Sequence, residues 1–279
     1  MNARLGIRAF NLASWLGFRI IRVSKHQLAH TALSPELAKE TEITCNTDQY
    51  PDNDLRRIFL NNTAKNLHKW HHYFEIYDQW FSGFRDVSNL RILEIGVYRG
   101  GSLRLWRQYF HPEAVIVGID IDLGCKAYED SRQKIFVEIG DQADLSFLAH
   151  VIEKFGPFDI IIDDGGHTSS QQTISFNHLY ANALNNGGVY LIEDLHTNYW
   201  SKFRDAPQSF IDFAKSLVDR LHEPYFDNFD ETRFREGDRG QRRSMNVSIF
   251  CANTRSISFY DSIVVFEKRR KLMPSAEIR

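Results

Sequence analysis

Short apolar runs alternate with segments of helical periodicity along most of the chain. The runs are almost continuously apolar, which is typical of strands buried on both faces of a parallel sheet. The predicted strands lie at residues 90–95, 115–120, 135–139, 158–163 and 188–193. The predicted helices lie at residues 101–110, 124–132, 142–155, 169–184 and 205–221. This alternation predicts a doubly wound, mostly parallel α/β sheet.

The two ends of this pattern differ from its middle. Residues 246–251 and 263–267 are two further apolar runs joined by a short connection, and they predict an antiparallel hairpin that closes a seven-stranded sheet. Ahead of the first strand, aromatic and aliphatic residues recur at helical spacing over residues 54–84, which predicts two covering helices. The sequence therefore predicts one α/β domain at residues 53–279.

Residues 1–52 are predicted to lie outside this domain. Residues 1–25 contain five basic residues and no acidic residue, and the arginines lie opposite an apolar stripe at helical spacing. They predict a basic amphipathic helix, which a polar linker follows. We expect this helix either to pack its apolar stripe on the domain or a second subunit, or to lie on an anionic membrane surface. Its apolar runs are too short to span a bilayer.

The bulk composition narrows the classes of function. The 279 residues carry a formal net charge of −2, so the chain lacks the basic excess of a dedicated nucleic-acid binder. Its three cysteines are far apart and lack C-x-x-C spacing, which predicts neither a disulfide framework nor a thiolate zinc site. We therefore expect a protein of the reducing cytoplasm, at the inner membrane surface if the basic helix binds lipid.

A glycine-bearing loop follows the first predicted strand. Glu94 lies near the end of the strand, the loop runs from Gly96 through Gly100 and Gly101, and the next helix begins at Ser102. Glycines let a backbone turn tightly and approach a ligand closely. The spacing matches neither the dinucleotide fingerprint nor a P-loop. The loop is therefore either a ligand-binding turn or a plain connection between strand and helix.

Polar residues also follow the next two strands. The second strand ends at Asp120, which is suited to ribose hydroxyls, and the third leads into Asp141 and Gln142, which are suited to the edge of an adenine. In an open α/β sheet, ligands bind at the carboxyl ends of the strands. Three successive strand ends therefore offer contacts for a nucleoside.

Two acidic clusters follow the fourth and fifth strands. Asp163 and Asp164 precede His167 by a few residues, and Glu193 and Asp194 end the next strand. Four carboxylates at one sheet edge repel one another unless a cation or a shared proton relieves the repulsion. Their position indicates a catalytic edge, and their charge indicates a metal ion.

These motifs resemble class I S-adenosylmethionine-dependent methyltransferases, which have a Rossmann-like sheet. The acidic clusters narrow the resemblance to the metal-dependent sugar O-methyltransferases of macrolide biosynthesis and the related cephalosporin hydroxylase family, over roughly residues 65–270. The resemblance implies that the loop from Glu94 to Gly101 faces the methionine moiety, Asp120 the ribose and Asp141 with Gln142 the adenine. Gly166 stands where serine is common in these enzymes, so the resemblance does not by itself assign the acceptor.

The chemistry of the residues in these clusters predicts a different role for each of them. Oxygen ligands from Asp164, Glu193 and Asp194 suit Mg²⁺ first, with Mn²⁺ or Ca²⁺ as alternatives. His167 would take a proton from the acceptor hydroxyl, or it would only make local hydrogen bonds at a helix start. Asp163 is assigned to the cofactor side or to the turn.

Several aromatic and basic residues near these clusters are candidates for acceptor binding. Lys69, His71 and Tyr73 border the active site in the resembled family, although they have no assigned role. Tyr199 and Trp200 follow the second acidic pair closely. They either line the binding site of a sugar-sized acceptor or belong to the hydrophobic core.

The residues and the resemblance together predict a Mg²⁺-dependent O-methyltransferase that uses S-adenosylmethionine and acts on a hydroxyl of a sugar or glycoconjugate. One alternative is an oxygenase or oxygenase component, which the hydroxylase family name suggests. Another is a nucleoside-binding partner without turnover. The arginine-rich stretch at residues 233–243 is either a solvated loop or a clamp for an anionic acceptor.

Overall fold

The computed structural model describes residues 33–34, 36–44, 46–64, 66–226 and 245–272. The predicted amphipathic helix and the arginine-rich stretch lie outside these residues. Contacts divide the chain into a unit of residues 1–46 and a unit of residues 47–279. In the smaller unit, the described residues include one turn, in which Ala38 N donates to Ser34 O. The predicted boundary between residues 52 and 53 stays a prediction.

The larger unit is built on a seven-stranded sheet of order β3-β2-β1-β4-β5-β7-β6. The strands are β1 (Arg91–Ile95), β2 (Val115–Asp120), β3 (Ile135–Ile139), β4 (Phe158–Asp163), β5 (Leu184–Ile192), β6 (Thr254–Phe259) and β7 (Val264–Lys268). The first five strands pair in parallel, while β7 runs antiparallel to both β5 and β6. The predicted parallel sheet with a closing hairpin is confirmed.

Helices cover both faces of this sheet. They are α1 (Asp54–Leu60), α2 (Tyr73–Phe81), α3 (Gly101–Tyr109), α4 (Leu145–Phe155), α5 (Ser169–Asn182), α6 (Phe210–Arg220) and α7 (Ile249–Asn253). Short 3₁₀ turns join several of them. Among the described residues, no helix is both long and apolar enough to cross a bilayer.

Two sequence predictions of element type are wrong. The segment 246–251, predicted as a strand, contains the start of α7, because the Ser248 hydroxyl accepts from Cys251 N and caps a helix there. The sixth strand begins only at Thr254. The segment 124–132, predicted as a helix, consists of two 3₁₀ turns at Leu123–Tyr128 and Ser131–Gln133. The side chains of Asp122 and Asp130 cap these turns, a local alternative to helix that aspartate favours.

Alternate residues of the central strands enter two separate cores. Ile92 and the strand residues that point to the same face of the sheet pack against α1, α2 and α3. This cluster is rich in aromatic rings and includes Tyr77 and Trp106. Leu93 and its in-phase neighbours pack under α4, α5 and α6, around Phe176. Because both faces are buried, the strands are held rigidly, and the polar residues at their carboxyl ends are held at one edge.

Candidate active site

One cavity of about 490 Å³ lies at the carboxyl ends of the parallel strands. It reaches the residues that follow β1, β2, β3, β4 and β5. The lining residues include seven of those predicted from the sequence: Gly96, Asp120, Asp141, Gln142, Asp164, His167 and Asp194. The structure therefore brings the nucleoside-type residues and part of the acidic group together in one space.

Asp120 closes the loop that follows β1. Its Oδ2 atom accepts from Val97 N at 2.8 Å and Tyr98 N at 3.0 Å, and its Oδ1 atom accepts from Asp122 N at 2.9 Å. Burial alone would raise the pKa of Asp120, but these backbone donors outweigh burial and hold it below its usual value. An ionised carboxylate therefore faces the cavity at the position predicted for ribose binding.

Gly96 brings the loop after β1 against the loop after β4. Its φ angle is +96°, and a Cβ atom there would lie 2.1 Å from the carbonyl oxygen of Asp164. Only glycine adopts this conformation without strain and leaves room for that oxygen.

We expect Gly96→Ala to lower the free energy of unfolding by at least about 2 kcal/mol. The alanine backbone would be strained at this positive φ angle. Its Cβ atom would also clash with the backbone of Asp164. Thermal or denaturant unfolding measures this loss. Gly83→Ala is the matched control, since a Cβ at Gly83 meets nothing within 4 Å. Equal stability of the two variants would contradict the close approach of the loops.

Asp163 supports the loop rather than lining the cavity. Its side chain is fully buried and accepts from Ser175 Oγ at 2.7 Å and Gln142 Nε2 at 3.2 Å. Gln142 in turn accepts from Gly166 N at 2.8 Å. Burial raises the pKa of Asp163. This network ties the end of β4 to α5 and positions the segment that carries Asp164 and His167.

Asp164, His167 and Asp194 converge in the cavity. One ligand atom from each residue lies within 4.8 Å of the others. His167 Nε2 is 3.9 Å from Asp164 Oδ1 and 3.8 Å from Asp194 Oδ2, too far for hydrogen bonds. The Nδ1 atom of His167 is buried without a hydrogen-bond partner in the described part of the chain. Two carboxylates and an imidazole that converge without bonding one another suit a divalent cation.

The backbone is left-handed at two of these three residues. His167 has φ +60° and Asp194 has φ +55°. Histidine and aspartate tolerate this region better than most residues, and such conformations concentrate at functional sites. At Asp194 the chain leaves β5 and turns into a 3₁₀ segment, Leu195–Tyr199. The two neighbouring acids have different partners: Glu193 accepts from Lys69, and Asp194 accepts from Tyr73.

Glu193 lies behind the cavity and not on its lining. Its carboxylate is buried and accepts from Lys69 Nζ at 2.8 Å and from the Tyr77 hydroxyl at 2.6 Å. Burial raises the pKa of Glu193, and Lys69 opposes that effect. The role of Glu193 as a metal ligand therefore stays a prediction.

Lys69 joins the two acidic clusters. Its ammonium contacts Asp164 Oδ2 at 2.5 Å as well as Glu193. Burial alone would lower the pKa of Lys69, but the carboxylates of Asp164 and Glu193 outweigh burial and hold the pKa above its usual value. The sequence offered Lys69 only as a candidate without a role, because no local spacing links it to acids about a hundred positions away.

The other residues predicted from the covering segment have different positions. The Tyr73 hydroxyl donates to Asp194 Oδ1 at 2.7 Å, so Tyr73 orients an acid that faces the cavity. His71 stacks on Tyr50 with 5.6 Å between ring centroids and does not line the cavity. Tyr73 thus belongs to the support of the acidic group.

Aromatic side chains form a rim beside Asp194. His196 lies between Trp70 and Trp200, with centroid distances of 5.6 Å and 4.8 Å. Trp70, Tyr199 and Trp200 are each about half exposed. We call Trp70, His196, Tyr199 and Trp200 the aromatic rim. The sequence indicated Tyr199 and Trp200 but not His196 or Trp70, and Trp70 contacts His196 only in the folded chain.

The remaining predicted cofactor residues lie beneath the loop after β1. Glu94 is buried and accepts from Ser102 Oγ at 2.7 Å and Trp106 Nε1 at 3.0 Å, and burial raises the pKa of Glu94 to about 7. Gly101 begins α3, and a Cβ there would lie 2.5 Å from the Asn66 carbonyl oxygen. Gly100 precedes it in a left-handed conformation. These residues shape the loop, and their contact with a cofactor stays a prediction.

Known proteins similar to this chain include several O-methyltransferases, although no family model matches it. The 8-demethyl-8-alpha-L-rhamnosyl tetracenomycin-C 2'-O-methyltransferase of Streptomyces olivaceus is 33% identical over 214 residues, which is 72% of this chain and 52% of that protein. The demethylmacrocin O-methyltransferase of Streptomyces fradiae is 36% identical over 203 residues, 68% of this chain and 49% of that protein. The chain thus spans about half the length of these curated relatives.

Solved structures show the same relationship. The MycE methyltransferase from the mycinamycin biosynthetic pathway, in complex with Mg and SAH, matches with a TM-score of 0.63 and 29% identity. The match covers 79% of this chain and 56% of MycE. A complex of MycE with Mg, SAH and mycinamycin VI matches with a TM-score of 0.64 and 28% identity, over 82% of this chain and 56% of MycE. The chain has the class I S-adenosylmethionine-dependent methyltransferase fold and is a homologue of the macrolide and tetracenomycin sugar O-methyltransferases.

Proposed function

We propose that this chain is a Mg²⁺-dependent O-methyltransferase that transfers the methyl group of S-adenosylmethionine to a hydroxyl of a sugar or glycoconjugate. The observation that carries the proposal is the cavity that Asp120 and Gln142 line together with Asp164, His167 and Asp194. Such a cavity would hold a nucleoside beside the acidic centre. The similarity to sugar O-methyltransferases supports the reaction and the acceptor class.

The nucleoside end of the cavity would hold the cofactor. Asp120, an ionised acceptor fixed by three backbone donors, would bind the ribose hydroxyls. Asp141 and Gln142 would lie along the adenine, and the backbone at Gly96 would face the methionine moiety. The apolar side chains of Ile95, Ile119 and Ile121 line the same cavity and would pack on the cofactor.

At the acidic end, Asp164, Glu193 and Asp194 would hold the metal ion. A bound divalent ion supplies Lewis-acid activation of an acceptor hydroxyl. His167 would accept the proton of that hydroxyl through Nε2, the imidazole nitrogen closest to both cavity-facing acids. The loop network around Asp163 would hold His167 in position, and positioning supplies much of the rate of a methyl transfer.

The aromatic rim supports a sugar as the acceptor. Half-exposed aromatic rings beside a polar centre present an apolar surface next to hydrogen-bonding groups, which suits a molecule with apolar and hydroxyl-bearing faces. The proposed acceptor is therefore a small molecule or glycan. Membrane contact through residues 1–25, assembly into a homo-oligomer and a cytoplasmic location stay predictions.

We expect Trp200→Ala to raise the KM for the acceptor about fivefold, because it removes about 1 kcal/mol of aromatic contact, with little change in kcat. Steady-state kinetics with a sugar acceptor measures both constants. Phe226→Ala is the control, since Phe226 is equally exposed but lies beyond the carboxyl end of α6. An unchanged KM in Trp200→Ala would place the acceptor elsewhere.

The direct test is methyl transfer by the purified chain. Labelled S-adenosylmethionine and a panel of rhamnosides and other glycosides should give a methylated product, EDTA should abolish it, and added Mg²⁺ should restore it. Undiminished transfer in EDTA would remove the metal from the mechanism. Consumption of O₂ and 2-oxoglutarate with iron would instead support the oxygenase alternative, which no observation favours. Tight cofactor binding without transfer to any acceptor would support a non-catalytic partner.

A further inference from the structure

Lys69 is a buried cation between the two acidic clusters. Its side chain is 2% exposed, and its ammonium is in direct contact with carboxylates of both clusters. Among the described residues, no other lysine or arginine forms an ion pair with Asp164, Glu193 or Asp194. A buried ammonium is costly unless carboxylates compensate it, so the fold keeps this charge in place only together with the acids.

The charges of the acidic centre can be counted from these contacts. When the three carboxylates are ionised, as metal binding requires, Asp164, Glu193 and Asp194 contribute three negative charges, and Lys69 contributes one positive charge. The remaining charge of about −2 equals that needed to neutralise one divalent ion. Without Lys69, three uncompensated carboxylates would repel one another more strongly and would favour an ion of higher charge.

We propose that Lys69 is a positioning residue that balances the charge of the acidic centre and thereby matches it to a single divalent ion. It also fixes the carboxylate of Asp164 through the contact with Oδ2, leaving Oδ1 toward His167. Tyr77 completes the arrangement by donating to the other oxygen of Glu193. This inference rests on the proposed metal site.

The charge of the centre can be read from its preference between Ca²⁺ and Tb³⁺, which have similar radii but different charges. We expect Lys69→Met to raise the ratio of Tb³⁺ affinity to Ca²⁺ affinity about tenfold or more, because one added negative charge acts more strongly on the trivalent ion. Calorimetry for Ca²⁺ and terbium luminescence on the full chain give the two affinities. If Lys69 had only a structural role, Lys69→Met would lower the affinities for both ions by a similar factor and leave their ratio unchanged.

Two control variants separate charge from packing. Tyr77→Phe removes a hydrogen bond to Glu193 but no charge, and Lys154→Met removes a charge that is half exposed and paired with Glu138. Both should keep the wild-type ratio within about twofold, since neither changes the charge of the centre.

A second pair of variants keeps the inference testable if Lys69→Met does not fold. Glu193→Gln should lower the Tb³⁺ to Ca²⁺ ratio, and adding Lys69→Met to it should restore the wild-type ratio, because the pair is then removed as a unit. Either of two results would overturn this inference and leave the proposed metal site standing: a wild-type ratio of Tb³⁺ to Ca²⁺ affinity in Lys69→Met, or a ratio that the double variant does not restore. If the wild-type chain binds neither ion, the proposed metal site fails and this inference fails with it.

Discussion

Replacing His167 by asparagine should lower kcat by about 10²- to 10⁴-fold, the usual contribution of a general base. Affinities for Mg²⁺ and S-adenosylmethionine should stay close to those of the wild-type chain. Asparagine is the suitable replacement because His167 has φ +60°, a conformation that asparagine adopts more readily than alanine. Single-turnover transfer gives the rate, and calorimetry gives the two affinities.

The same variant distinguishes two roles that the geometry allows for His167. Its Nε2 atom lies in the group of ligand atoms with Asp164 and Asp194, so it has the position of a ligand as well as that of a base. A parallel loss of Mg²⁺ affinity in His167→Asn would show that it binds the metal. His196→Asn is the control, since His196 belongs to the aromatic rim and should change KM more than kcat.

Replacing Asp164 by asparagine should have the second large effect, a fall of roughly a hundredfold or more in Mg²⁺ affinity with a matching loss of transfer. Asp164 faces the cavity, takes part in the converging group and pairs with Lys69. Asparagine keeps the volume but removes the charge that the ion requires. Mg²⁺ titration and transfer at saturating Mg²⁺ measure the two effects.

Asp163→Asn is the matched control for Asp164→Asn, because the two acids are adjacent but point in different directions. Asp163 is buried against Ser175 and Gln142, so its replacement should lower the free energy of unfolding by about 1–3 kcal/mol. Its effect on Mg²⁺ affinity should be small. If Asp163→Asn lost the metal and Asp164→Asn kept it, the assignment of the two acids would have to be exchanged.

The sequence predicted the sheet well because strands buried on both faces carry a strong local signal. The apolar runs that end at Ile95, Asp120, Ile139 and Asp163 coincide with β1 to β4. The signal is weak where short segments compete, as at residues 246–251. There the Ser248 side chain caps the start of a helix, which the apolar content of the segment alone does not predict.

The same local signal located most of the site. In a parallel sheet every strand's carboxyl end meets the same edge, so the polar residues after the strands were expected to converge. Asp120, Asp164 and Asp194 do line one cavity. Their chemistry follows from residue type, and their common location follows from the alternation of strands and helices.

What the sequence alone determined is therefore the fold class, the catalytic edge and the kind of chemistry its acids support. Only the tertiary structure decided which way each acid faces. Side chains from other elements hold Asp163 and Glu193, and the backbone of Asp194 is left-handed. The tertiary structure also decided that Lys69 and Tyr77 hold Glu193, and that Trp70 meets His196. These contacts join residues about a hundred positions apart. They arise from side-chain packing in the folded chain, and the hydrophobic periodicity of the sequence does not predict them.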